Sequence, residues 1–297
     1  MSRCPLADLP HQSRQVLFAA PGVRVEDFRC TAHVEPEGPE EPNPTHSIAL
    51  VRRGVFSRRR HSETLVADAG HVLFFNAAEP YRFAHPVPGG DDCTILAVET
   101  SRAIELVSRH APRDAENPEA PFRLGHGLGT LRLVRLQYEL LARARRPGDA
   151  LGLEDATWEL ADEALRAAYR AHPERADREV PSTAAQRRRR DLVEAAKLAV
   201  NVRLGSPLRL GELARDLGCS PFHLSRTFRK MVGVSLRRYV QLLRARVAAD
   251  RLAQGARDLT GLALDLGFSD HSHFTNTFRG EWGTPPSSFR TRFGRSY

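Results

Sequence analysis

Four cysteines and a scatter of histidines are the residues most able to do chemistry here, and their spacing argues against it. Cys4, Cys30, Cys93 and Cys219 lie far apart, form no Cys-x-x-Cys pair and have no spacing suited to zinc. They read as isolated, reduced thiols, with buried packing the expected role of Cys93 and Cys219. His33, His46, His61, His71 and His85 never occur as His-x-His. No catalytic triad, phosphate-binding glycine loop or paired carboxylates in a plausible context is present, and Gly89-Gly90 reads as a turn. The expectation is a non-enzyme with no cofactor and no metal.

The remaining chemistry is that of charge. The 297 residues carry a net charge of +8, divided unevenly. Residues 187–297 hold 21 Lys and Arg against 9 Asp and Glu, whereas the other 186 residues hold 23 against 27. A compact basic segment suits nucleic acid, because neutralising phosphates releases counterions and supplies most non-specific affinity. Abundant arginine alone does not explain the asymmetry.

The elements that must position those charges follow from hydrophobic period and punctuation. Residues 14–100 read as short strands, among them SIALVRRG (47–54), HVLFFN (71–76), YRFAH (81–85) and CTILAVE (93–99). Separators rich in Gly, Pro and Asn divide them, the rhythm of an all-β sandwich or barrel. From about Ser101 the period lengthens. Ala103, Leu106 and Val107 mark a short helix, and 112–121 a polar loop. Leu128, Leu131, Val134, Tyr138 and Leu141, then Leu153, Thr157, Leu160, Ala164, Leu165 and Ala168, predict two amphipathic helices joined at Pro147-Gly148. Their apolar stripes suit packing on the β domain or a subunit interface. Residues 172–190, HPERADREVPSTAAQRRRR, read as an exposed linker, with Arg187–Arg190 either a phosphate contact or the solvated start of a helix. No stretch approaches the roughly 18–20 apolar residues that span a bilayer, and the first fifteen residues lack the apolar run of a secretory signal. A cytoplasmic, non-membrane protein is expected.

The basic segment contains an approximate repeat. LGELARDLGCSPFHLSRTFRK (210–230) recurs as LTGLALDLGFSDHSHFTNTFRG (259–280). Ala214, Leu217, Gly218 and Ser220 match Ala263, Leu266, Gly267 and Ser269 at an offset of 49. Leu224, Phe228 and Arg229 match Phe274, Phe278 and Arg279 at an offset of 50, so the second copy carries one extra residue, placed within its second helix. A small residue lets two helices cross closely, a glycine can end the first in the left-handed region, and Ser220-Pro221 starts the second. Apolar residues four apart then bury one face and leave the other exposed. Each copy is a helix–turn–helix. The amphipathic stretch 235–254 joins them, and its twenty residues span roughly 30 Å as a helix, close to the roughly 34 Å between major-groove faces on one side of B-DNA.

Residues 187–297 closely resemble the DNA-binding domain of the AraC/XylS family of bacterial transcription regulators. The resemblance rests on LARDLGCSPFHLSRTFRKMVGVS (213–235), YVQLLRARVAADRL (239–252) and LALDLGFSDHSHFTNTFRGEWGTPPSSFR (262–290). It implies a seven-helix, two-lobed domain that binds double-stranded promoter DNA and contacts RNA polymerase. Gly211 and Gly261 sit inside the first helices, where glycine costs about 0.5–1 kcal/mol relative to alanine, so the second unit is expected to dock less firmly. Early exposed positions of each second helix reach base edges. In the first unit those are Phe222, His223, Ser225 and Arg226, with Arg226 suited to the O6 and N7 of guanine. In the second they are His271, Ser272, His273 and Asn276, with Asn276 suited to adenine. Arg229, Lys230, Arg238 and Arg279 are expected at phosphates.

THSIALVRRGVFSRR (45–59), DAGHVLFFNAAEPYRFAHP (68–86) and GGDDCTILAVE (89–99) resemble more loosely the cupin-like sensor domains found ahead of this DNA-binding domain. That resemblance implies a regulatory module for a small-molecule effector or a homodimer. His46, Arg52, Phe74, Tyr81, Arg82 and His85 are candidates to line an effector pocket, and serve equally well as core aromatics and surface charges. The expected fold class is α+β, with a cupin-like β-barrel over 1–112 and a helical segment suited to dimerisation over 113–172. A linker over 173–186 then leads to an all-α domain of two helix–turn–helix units joined by a long helix over 187–297.

Overall fold

The computed structural model describes residues 11–61, 63–146, 148–171 and 183–294. The chain divides into two compact units, one of Met1–Glu63 with Ala69–Glu179 and one of Thr64–Asp68 with Val180–Tyr297.

The first unit is built on strands β1 (Gln12–Ala20), β2 (Val23–Cys30), β3 (Glu41–Pro42), β4 (His46–Arg60), β5 (Glu63–Asp68), β6 (His71–Phe75), β7 (Pro80–Ala84), β8 (Asp91–Val98) and β9 (His126–Leu128), of which β5 beyond Glu63 groups with the second unit. The main sheet runs β1-β2-β8-β4-β6-β9, with β7 on β4 and β3 on β7. Neighbours pair antiparallel, as in Ile48↔Leu96 and Ile48↔Phe74. Among the described residues the expected barrel does not close, since β1 and β9 are the two ends of this path. Strand β9 is only three residues long and offers few ladder bonds with which to close on β1. Leu128, expected on a helix, belongs to this strand.

Alternate residues decide which face is buried. Val23, Val25, Ile48, Leu50, Val72, Phe74, Leu96 and Val98 form one core with the helices that follow. These are α1 (Thr100–Ser108), α2 (Leu131–Arg143) and α3 (Ala150–Ala171), with a 3-10 turn at Asp114–Glu116 inside the expected polar loop. Leu133, Leu136 and Leu140 of α2 and Leu160, Ala161, Ala164 and Ala168 of α3 complete that core. The apolar stripes of both helices are therefore mostly buried inside the unit, but Leu131, expected on the buried stripe, is exposed at the first position of α2. Small residues let α3 come close, for a Cβ on Gly127 of β9 would lie 3.0 Å from the Ala168 Cβ.

The second unit contains seven helices among the described residues: α4 (Ala184–Val202), α5 (Leu210–Asp216), α6 (Pro221–Val232), α7 (Leu236–Ala253), α8 (Leu259–Asp265), α9 (His271–Trp282) and α10 (Pro286–Phe293). Helix α4 opens with a capping box in which Thr183 and Gln186 each accept from the other's backbone N–H. It takes in Arg187–Arg190, and most of the expected linker lies outside the described residues. Helix α7 packs against α6, α9 and α10. Residues 64–68 are held in this unit by polar contacts. The Glu194 carboxylate accepts from the Val66 N–H at 2.7 Å, and Asp68 accepts from Asn201 Nδ2 at 2.7 Å and from the Tyr239 hydroxyl. No helix among the described residues is long and apolar enough to cross a membrane.

Candidate nucleic-acid interface

Each repeat folds as a short helix, a tight turn and a longer helix. In the first, α5 ends at a turn through Gly218, whose φ of +66° is a region that favours glycine. Ser220 Oγ then accepts from the His223 N–H at 3.1 Å, Pro221 fills the first position of α6, and Gly233 closes it at φ +84°. Leu213, Ala214, Leu224 and Phe228 are buried, and the ring of Phe228 meets Tyr239 of α7 edge-on at 5.2 Å. The opposite face of α6 presents Phe222, 74% exposed, together with exposed His223, Arg226, Arg229 and Lys230, while Ser225 is half-buried. A large aromatic at 74% exposure is not core. It belongs to the surface that carries the cations.

The second repeat shows where its extra residue lies. Helices α5 and α8 are 49 residues apart, whereas α6 and α9 are 50 apart. The insertion is in the turn, not within the second helix as the sequence suggests. Its effect is to make Asp270, rather than Ser269, the N-cap, accepting from the His273 N–H at 2.7 Å. That bond and one from the Ser269 hydroxyl hold the Asp270 carboxyl below the usual carboxylate range, and a negative cap also suits the positive end of the helix. His271, Ser272, His273, Asn276 and Arg279 are exposed. Of these His273 leans back on the turn, its Nδ1 3.1 Å from Ser269 Oγ and its ring edge-on to Phe268 at 5.3 Å.

The two glycines inside α5 and α8 differ in surroundings. A Cβ on Gly211 would meet nothing within 4 Å, whereas one on Gly261 would lie 2.4 Å from Asp258 Oδ2. Asp258 caps α8 by accepting from the Thr260 and Gly261 N–H groups, and the bare glycine leaves room for that carboxylate. Gly211→Ala is therefore expected to stabilise the second unit by up to about 1 kcal/mol, and Gly261→Ala to give no gain. Thermal unfolding of the two variants checks this, and equal gains would contradict it.

Two arginines have structural partners that sequence reasoning missed or did not foresee. Arg238, expected at a phosphate, is gripped through both terminal nitrogens by the buried Glu281 of α9, one bond being 2.9 Å. This fork ties α7 to α9. Arg244 donates to the carbonyls of Leu204 at 3.0 Å, Ser206 at 2.9 Å and Gly267 at 2.7 Å, so it holds the second turn against the segment after α4. By contrast Arg226, Arg229, Lys230 and Arg279 form no ion pair among the described residues, which leaves their charge available to a polyanion.

Each of the candidate effector residues has partners of its own within the first unit. His46 and Phe74 both contact the Phe122 ring in the core. Burial lowers the pKa of His46, which favours the neutral ring. Arg52 is buried with Asp27 and donates to Thr94 Oγ1 at 2.7 Å. Burial works against the Asp27 charge, but Arg52 and Arg29 hold its pKa below the ordinary value. Tyr81 is buried, and its hydroxyl donates to Glu79 at 2.6 Å. Arg82 faces Glu37 and Glu40 at the surface, and His85 contacts Asp91. Among the cysteines Cys93 is buried as expected, but Cys219 is only half-buried, because it sits in the first turn rather than under it.

Residues 213–292 match a family model described as a helix-turn-helix domain. The chain is 30% identical over 93 residues to the regulatory protein SoxS of Salmonella typhimurium, covering 31% of this chain and 87% of SoxS. It is 33% identical over 102 residues to the HTH-type transcriptional regulator YfiF of Bacillus subtilis, covering 34% of this chain. The match spans about a third of the length of YfiF, at 32%. Among solved structures, ToxT from Vibrio cholerae aligns over 92% of this chain and 99% of its own, at 10% identity and a TM-score of 0.36.

Proposed function

The chain belongs to the AraC/XylS family of helix–turn–helix transcription regulators, and from that premise we propose that it binds double-stranded promoter DNA with α6 and α9 in adjacent major grooves. The observation that carries this reading is the duplicated unit itself. Two helices, each capped at its start and closed by a left-handed glycine, present exposed polar and cationic residues on the face away from their buried apolar residues. Helix α7 lies between them in sequence, and its 18 residues make it about 27 Å long, of the order of one turn of B-DNA.

Roles follow from side-chain chemistry. The guanidinium of Arg226 donates to guanine O6 and N7, Asn276 pairs with adenine, and Phe222 contacts a thymine methyl or sugar. His223, Ser225, His271, Ser272 and His273 line the same two grooves. Arg229, Lys230 and Arg279 bind phosphates and set register without reading sequence. The N-terminal unit is the regulatory module, acting through a small-molecule effector or through a homodimer, and RNA polymerase is the further partner in the cytoplasm. The protein acts by binding, with no catalytic step.

Selection from a pool of random duplexes tests this reading. Enrichment of a site with two short conserved elements one helical turn apart supports it, and failure to enrich any sequence overturns it. Replacing Arg229, Lys230 or Arg279 by alanine is expected to weaken binding about equally for every duplex and to reduce the salt slope by about 1 each. An unchanged slope would remove that residue from the phosphate contacts.

A further inference from the structure

We propose that the N-terminal unit contains a binding site for a thiophilic divalent metal ion, Zn2+ by donor chemistry, formed by Cys30, His85 and Asp91. Their sulfur, ring-nitrogen and carboxylate-oxygen atoms all lie within 4.8 Å of one another. All three are buried, at 0%, 8% and 3% exposure. Ligands around one tetrahedral zinc, with Zn–N of about 2.0–2.1 Å and Zn–S of about 2.3 Å, sit roughly 3.3–3.8 Å apart. His85 Nε2 is now 3.0 Å from Asp91 Oδ1, so these two need to part by only a few tenths of an ångström. One thiolate, one imidazole and one carboxylate form a mixed set that favours zinc over magnesium or calcium.

The fold brings the three together without help from sequence spacing. Cys30 ends β2 and Asp91 begins β8, and the pairing Arg29↔Asp92 leaves them opposite each other on adjacent strands. His85 follows β7, where its backbone bridges to Glu35. The loop from His85 to Asp91 is pressed onto Cys30 by glycine. A Cβ on Gly90, whose φ is +62°, would lie 2.0 Å from the Cys30 carbonyl oxygen, and one on Gly54 would lie 1.9 Å from the Gly90 oxygen. Three backbone segments thus meet at van der Waals limits around the cluster, and rigid backbone holds the donors in place.

Neighbouring groups orient the donors as outer partners of a metal do. Asp91 Oδ2 accepts from the Cys93 thiol at 3.2 Å, which fixes the carboxylate and leaves Oδ1 directed at His85. Across the ring, His85 Nδ1 lies 3.9 Å from Glu35 Oε2, and Glu35 Oε1 lies 3.7 Å from His11 Nε2. Glu35 thus places a carboxylate on the side of the second ring nitrogen, beyond hydrogen-bond distance. Three protein donors leave the fourth position to water or a small ligand.

The test uses the full chain, stripped with chelator and titrated with Co2+ as a spectroscopic stand-in for zinc. One equivalent is expected to produce a thiolate-to-cobalt charge-transfer band with the intense visible absorption of a tetrahedral ion, and Zn2+ should bleach both. Cys30→Ser should lose the charge-transfer band and His85→Gln should weaken binding at least tenfold, whereas Cys93→Ser should keep the band. Absence of any thiolate band in the wild-type chain overturns the site whatever the variants do. A band that persists in Cys30→Ser at wild-type strength does the same. Zn2+ should also raise the unfolding temperature of the wild-type chain by mass action. No rise, or an equal rise in Cys30→Ser, contradicts the proposal.

Discussion

Phe278→Ala is expected to destabilise the second unit by about 3–5 kcal/mol, the largest effect of any single substitution foreseen here. Phe278 is fully buried, and its ring lies 5.7 Å from Phe274, 5.8 Å from Trp282 in a stacked arrangement and 5.4 Å edge-on from Phe289. Phe293 extends the same series through Phe289 at 4.7 Å. Truncation leaves a cavity lined by rigid rings that cannot collapse into it, so both the transfer and the cavity contributions are lost. Urea unfolding of the second unit should show the loss as a lower midpoint, and a change below about 1 kcal/mol would contradict the account. This aromatic series also bears on the expectation that the second repeat docks less firmly than the first. Gly261 makes way for a capping carboxylate, and α9 is further tied to α7 by the Arg238–Glu281 fork.

Arg226→Ala is expected to weaken binding to the selected site by about 1–3 kcal/mol and to flatten preference at a single base pair. Arg226 is exposed on α6, five residues past the helix start, and no carboxylate among the described residues competes for it. Arg226→Lys should keep the charge yet lose most of the discrimination, because an ammonium cannot make the two parallel bonds of a guanidinium. Binding assays against duplexes mutated one base pair at a time separate the cases. Equal loss for every duplex would make Arg226 a phosphate contact.

What could be read from the sequence follows the range of the interactions. The helix–turn–helix units were legible because their determinants are local: Gly218 in the left-handed region, Ser220 and Pro221 at a helix start, Leu224 and Phe228 four apart. The seven described helices of the second unit follow from such signals and from the family resemblance. Longer-range features were not legible. Arg238 reads as a surface charge until Glu281, 43 residues on, is placed beside it. Arg244 gives no signal at all, because its three acceptors are backbone carbonyls that any sequence supplies. Strand alternation marked the β region, but not that β9 would end the sheet unclosed, since closure depends on strand length and register. Cys30, His85 and Asp91 are scattered over sixty residues, beyond any spacing rule. The site of the inserted residue shifted too: an alignment cannot distinguish the turn from the helix, whereas the Asp270 cap can.

The central claim is that α6 and α9 enter successive major grooves on one side of the duplex. Hydroxyl-radical footprinting of the full chain on its selected site tests it most directly. The account predicts two protected patches on one face, centred about 10–10.5 base pairs apart. Replacing Asn276 and Arg279 together should clear only one of them. A single patch, or two patches half a turn apart on opposite faces, would contradict it.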